Sequence, residues 1–216
     1  MTLLGRVVVL GAALEVGAWA LATALSPGSW RYNVSALYAA GAPRPALVMA
    51  GEAAFAVALA ALALGLRRAL PAGDHRTIGC GLLILASAGA VAGALARNQC
   101  EESVPQCDGA TFVTLADWVH GIGGLAELLG IAGAALVLSV ALPRPWSWYS
   151  SATGCTVLVA VLLSDAVPFP WVGTAQRVMI LVLVGWVAAL GARLVSEDEP
   201  SRTDREIDAA VRNGPG

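Results

Sequence analysis

The chain has 216 residues, of which 57% are hydrophobic and only 13% charged, with a mean hydropathy of +0.72. A soluble domain carries about a quarter of its residues as charged groups, so this balance excludes an ordinary water-soluble globule. The formal net charge of −2 provides no clustered basic face of the kind nucleic acid requires, and no nucleic-acid partner is expected.

A helix crosses a bilayer with about 20 mostly apolar residues. In chain order, the apolar runs are 7–25, 46–66, 78–96, 118–142, 150–167 and 174–194. They predict an all-α, polytopic transmembrane bundle of about six spans within residues 1–195, with the lipid bilayer as its partner. The first run competes with a cleaved signal peptide, because Ala20-Leu21-Ala22 resembles a cleavage site. Its length, and Arg6 as the one charge at its start, favour a retained helix. Residues 150–167 are rich in small side chains and carry Asp165, so a re-entrant segment competes with a full span there. Residues 196–216 mix Glu, Asp, Arg, Pro and Gly and read as a polar, solvated tail.

Orientation follows from the arginines, which make up all 13 basic residues. With both termini cytoplasmic, nine lie inside (Arg6, Arg67, Arg68, Arg76, Arg144, Arg193, Arg202, Arg205 and Arg212) and four outside (Arg31, Arg44, Arg97 and Arg177). Trp30, Tyr32, Trp118 and Trp171 then fall at the outer interface, and Trp146, Trp148 and Tyr149 at the inner one, where amphipathic rings settle. The absence of lysine and the richness in Ala, Gly, Val and Leu fit a GC-rich bacterial genome, so the expected location is a bacterial cell membrane.

The outer loops carry most of the remaining polarity. Asn33 to Gly41 is expected to form a short interfacial helix before the Pro43-Arg44-Pro45 break. Cys100 and Cys107 fall in the loop 97–117, on the oxidising side in this orientation, and are expected to pair as a disulfide. Cys80 and Cys155 lie within spans and read as small buried apolar residues.

Ionisable groups inside hydrocarbon are costly and normally face the bundle interior. Glu15, Glu52 and Glu127 lie within spans, whereas Arg97, Asp117, His120, Asp165, Gln176 and Arg177 lie at outer helix ends. Polar groups from distant stretches of sequence thus collect on one side. On the fourth span, at about 100° per residue, Asp117, His120, Gly124 and Glu127 fall within about 80° of one another. Together these residues form a candidate polar pocket. The competing reading is a structural network in which the carboxylates are protonated, or are neutralised by Arg97 and Arg177.

Several other matches fail. Gly121-Ile122-Gly123-Gly124-Leu125-Ala126 spells a dinucleotide motif but follows no strand and lies within an apolar run. Zinc needs three or four ligands, and His120 is the only histidine within a span, so neither a metal site nor bis-histidine haem ligation is expected, and no cofactor is implied. No catalytic residue can be assigned. Gly11-x-x-x-Glu15 echoes Gly123-x-x-x-Glu127 on helices of opposite direction, as in an inverted repeat, and chance explains the echo equally well.

Three short stretches carry a family resemblance: Asn33-Val34-Ser35-Ala36-Leu37 followed by Gly41, Asp117-Trp118-Val119-His120, and Gly173-Thr174-Ala175-Gln176-Arg177 with Trp186 beyond. In these the chain resembles the six-span membrane proteins of bacteria and archaea grouped as domain of unknown function 998. The resemblance implies architecture and points again to His120, Gln176 and Arg177; it implies no reaction. Three readings stay open: a protein that binds or passes a small polar or amphipathic molecule through an outward-facing pocket, a non-catalytic partner or scaffold subunit, and an intramembrane lipid-modifying enzyme pairing His120 with Asp117 or Glu127.

Overall fold

The computed structural model describes residues 2–99 and 114–196. Cys100 and Cys107, and the tail beyond Ser196, lie outside the described residues. Within them every regular element is helical: α1 (Thr2–Ala24), α2 (Pro45–Ala69), α3 (Asp74–Leu95), α4 (Leu115–Ser139), α5 (Trp146–Leu162) and α6 (Val172–Ser196), with 3-10 turns at Ser29–Arg31, Val34–Leu37 and Ser164–Ala166. All except α5 are long and apolar enough to cross a membrane.

Local chemistry sets several helix ends. Pro45 opens α2, where its missing N–H costs nothing. Arg67 and Arg68 occupy the last turn of α2, next to the negative end of its dipole. Thr114 and Asp117 form a reciprocal capping box at the start of α4.

Consecutive helices pack side by side, and α6 returns to pack along α1, so the six form a closed ring in chain order. Lipid supplies no hydrophobic drive between helices, and close backbone approach takes its place. A Cβ at Gly89 would sit 2.5 Å from the Gly123 carbonyl, and one at Gly11 would sit 2.6 Å from the Ala54 carbonyl. These two contacts also decide the internal echo. Gly11 packs α1 on the following helix, whereas Gly123 packs α4 on the preceding one, so the shared spelling does not mark equivalent positions of a repeat. Leu59, Leu62, Leu83, Ile131, Leu138, Trp186 and Leu190 fill the ring interior, while Val57, Leu85, Ile122 and Leu162 face outward.

Two expectations need correction. Asn33 to Gly41 does not form one helix; it folds as a 3-10 turn over Val34–Leu37, then reverses at Gly41 with φ +91°. That leaves Val34, Leu37, Tyr38 and Ala39 buried. Cys155 is exposed on the outer face of α5, whereas Cys80 is buried; both are free thiols.

The short α5 carries the chain from one end of the ring to the other. Trp146, at its start, lies beneath the Arg193 guanidinium near the end of α6, at 5.6 Å. Its contact with α6 includes a 2.9 Å hydrogen bond from Trp186 Nε1 to Ser150 Oγ.

Candidate functional site

At the end of the ring where α2, α4 and α6 begin, residues 29–41 fold inward as a cap. Every attachment of the cap is specific. Gln176 Oε1 accepts the Val34 backbone N–H at 2.5 Å. Arg97 donates from Nε to the Tyr38 carbonyl at 3.0 Å and from Nη2 to the Ala39 carbonyl at 2.9 Å. Ala40 N–H donates to the Asn98 carbonyl at 2.7 Å.

Arg177 is the other anchor. Its Nη1 donates to the carbonyls of Tyr32 at 2.7 Å and Gly173 at 2.9 Å, and its Nη2 to the Ser29 carbonyl and Thr23 Oγ1, both at 3.2 Å. The Trp19 ring lies 6.0 Å from this guanidinium, close enough for a cation–π contribution. The cation is therefore 8% exposed yet satisfied largely by carbonyl dipoles. Gly173 lets the cap backbone lie directly on α6, since a Cβ there would collide with the carbonyls of Tyr32 and Trp30.

Beneath the cap is a cavity of about 320 Å³. Its walls include Glu15 of α1, Glu52 and Phe55 of α2, and Asp117, His120, Gly124 and Glu127 of α4. Gln176 of α6 and Asn33, Ser35 and Tyr38 of the cap complete the polar rim. The other side is apolar, with Leu125, Leu128 and Ile131 facing Met179, Ile180, Leu183 and Val184. Counted from the cap-side ends of their helices, Glu52, Glu15 and Glu127 lie about 10, 14 and 18 Å deep at 1.5 Å per residue.

Glu52 and Glu127 both line the cavity, within electrostatic reach of one another. Glu15 is 4% exposed, and its Oε2 is buried without a hydrogen-bond partner. His120 Nδ1 lies 3.1 Å from the Gly93 carbonyl; since a carbonyl cannot donate, Nδ1 carries the hydrogen in this contact. Its ring meets Tyr38 edge-on, with centroids 5.0 Å apart.

Asp117 has a second task at the cavity mouth. Its Oδ1 accepts Gln99 N–H, and its Oδ2 accepts both Thr114 N–H and Thr114 Oγ1, all at 2.7–2.8 Å. It thereby ties together the two described ends of the loop between α3 and α4.

The fold thus brings Glu15, Glu52, Asp117, His120, Glu127 and Gln176 around one cavity. It places Arg97 and Arg177 elsewhere, on the cap carbonyls, so the pairing of these arginines with the intramembrane carboxylates is overturned. Asp165 lies in the 3-10 turn after α5. Phe55 went unnoticed in the sequence because an aromatic ring in an apolar run has the signature of ordinary core, and Tyr38 because it fell in a stretch read as an interfacial helix. Asn33 and Ser35 carried a signal, as part of the first family-like stretch, but nothing placed them inward.

The three stretches that carry the resemblance meet at this cap. A family model described as "Protein of unknown function (DUF998)" matches residues 9–193. The chain belongs to the DUF998 family. No curated protein and no solved structure matches the chain. The DUF998 match runs from α1 to α6 and includes the cap, both anchoring arginines and the whole cavity.

Proposed function

We propose that this DUF998 protein binds, or passes, a small polar or amphipathic molecule in the capped cavity, from the outer side of a bacterial cell membrane. The observation that carries the reading is the cavity itself. Space of about 320 Å³, lined by acidic groups on one side and aliphatic groups on the other, falls within the size range of small-molecule sites. Glu15, 4% exposed, lines the cavity and its Oε2 has no hydrogen-bond partner. The arginines that could have neutralised the carboxylates hold the cap instead.

The orientation is supported by the distribution of arginine. At the cap end Arg97 and Arg177 have tertiary tasks, so the excess at the opposite end, with Arg6, Arg67, Arg68, Arg76, Arg144 and Arg193, fits a cytoplasmic face. Cys100 and Cys107 then lie on the oxidising side, and their pairing would stabilise the loop by about 2–3 kcal/mol in the chain-entropy model.

The test is extraction of bound small molecules from protein purified in lipid nanodiscs, followed by mass spectrometry. A Cβ at Gly124 meets nothing within 4 Å, so Gly124→Leu fills the cavity without a backbone clash. A compound retained by the wild type and reduced at least tenfold in Gly124→Leu and Glu127→Gln supports the reading. Identical extracts from all three proteins overturn it.

A further inference from the structure

We infer that the cavity is built for an organic amine carrying a short apolar tail, its ammonium group set among Glu15, Glu52 and Glu127. This rests on the ligand-binding reading above and assigns the ligand's chemical class.

Charge argues first. Among the described residues no Lys or Arg lines the cavity, so none stands there beside Glu15, Glu52 or Glu127. Glu15 Oε2, buried on the wall and unpartnered, is an acceptor that calls for a donor. An ammonium offers three donors and no acceptor, which suits a site whose deep end holds mainly oxygen acceptors.

Shape argues next. Leu125, Leu128 and Ile131 of α4 and Met179, Ile180 and Leu183 of α6 line the same cavity as the acidic trio, giving it an aliphatic slot. A tail fits that slot, and the Phe55 ring borders the acidic end, where a cation gains from an aromatic face. A bare metal ion fits poorly. Among the described residues no three His, Cys, Asp or Glu side chains gather closely enough to hold one.

The test measures binding of octylammonium, octanol and octanoate to the full chain in phosphatidylcholine nanodiscs by isothermal titration, with empty discs subtracted. Octylammonium is expected to bind at least tenfold more tightly than octanol, with octanoate weakest. Glu52→Gln and Glu127→Gln are each expected to lose at least fivefold for octylammonium while leaving octanol within twofold. Gly124→Leu is expected to weaken octylammonium and octanol alike. Equal binding of the three probes, or displacement of octylammonium by millimolar Mg²⁺ or Ca²⁺, overturns the amine assignment. If Gly124→Leu still weakens every probe in that case, the cavity reading survives the loss of the amine. No binding of any probe to well-folded wild type overturns the assignment, and the extraction experiment then decides the cavity reading independently.

Discussion

Gln176 on α6 accepts a hydrogen bond from the backbone N–H of Val34 across a separation of 142 residues. That single bond joins the last helix to the cap and sets Asn33 and Ser35 against the cavity. Replacing Gln176 with Ala orphans the Val34 N–H and is expected to cost about 1–2 kcal/mol. Hydrogen exchange over residues 33–38 should quicken in Gln176→Ala. Gln176→Glu, which keeps an acceptor, should restore protection.

Arg177 holds several cap carbonyls with one planar fork. Arg177→Ala leaves those acceptors unpaired, at about 1–3 kcal/mol for each one that stays buried, so a total loss of at least about 3 kcal/mol is expected. Arg177→Lys should not rescue it, because an ammonium cannot span the same set of carbonyls. Thermal unfolding in detergent, with folded yield by size-exclusion chromatography, checks both variants. A wild-type melting curve for Arg177→Ala would refute the anchoring role.

Two glycines make a controlled contrast. At Gly173 an added methyl meets the backbone of Tyr32 and Trp30, whereas at Gly124 it meets nothing within 4 Å. Gly173→Ala should therefore displace the cap and lower the midpoint of unfolding by several degrees. Gly124→Ala should change it by less than about 2 °C, with a small gain from helix propensity.

The closeness of Glu52 and Glu127 predicts tolerance of a conservative change at either partner. An amide in place of one carboxyl still donates to the other, so Glu52→Gln and Glu127→Gln should each stay within about 1 kcal/mol of wild-type stability. Glu127→Ala removes the partner and leaves Glu52 in an apolar wall, and should cost about 2 kcal/mol or more. Equal melting points for Glu127→Gln and Glu127→Ala would remove any pairing of the two side chains from consideration.

Reduction should add two hydrogens to the intact mass if Cys100 and Cys107 are paired. Cys80 and Cys155 are free thiols and should take up alkylating reagent without prior reduction, Cys155 the faster because it is exposed.

Much of this architecture was legible from hydropathy alone, because a span announces itself by length and composition. The convergence of Glu15, Glu52, His120 and Glu127 was legible for a related reason: a charged group in hydrocarbon has few places to go except inward. The helical period on α4 placed Asp117, His120, Gly124 and Glu127 on one face, and all four line the cavity. The destinations of Arg97 and Arg177 were not legible. Electrostatic pairing suggested carboxylates, but backbone carbonyls of a folded loop appear in no pattern of residue types. The 3-10 turn at Val34–Leu37 escaped for the same reason, since its burial depends on Gln176 and Arg177 arriving from the far end of the chain.

The ring closes only where α6 meets α1, so its last wall cannot form until the whole bundle has been made. During synthesis α1 and α2 enter the bilayer with Glu15 and Glu52 already aboard, long before Glu127 is made and before α6 can shut the wall. Until then the newborn pair must keep its acidic side chains away from acyl chains, against each other or against the insertion machinery. Truncating translation before α6 should therefore leave a species that is cleared rapidly by membrane proteases, a vulnerability that ends once the last helix arrives.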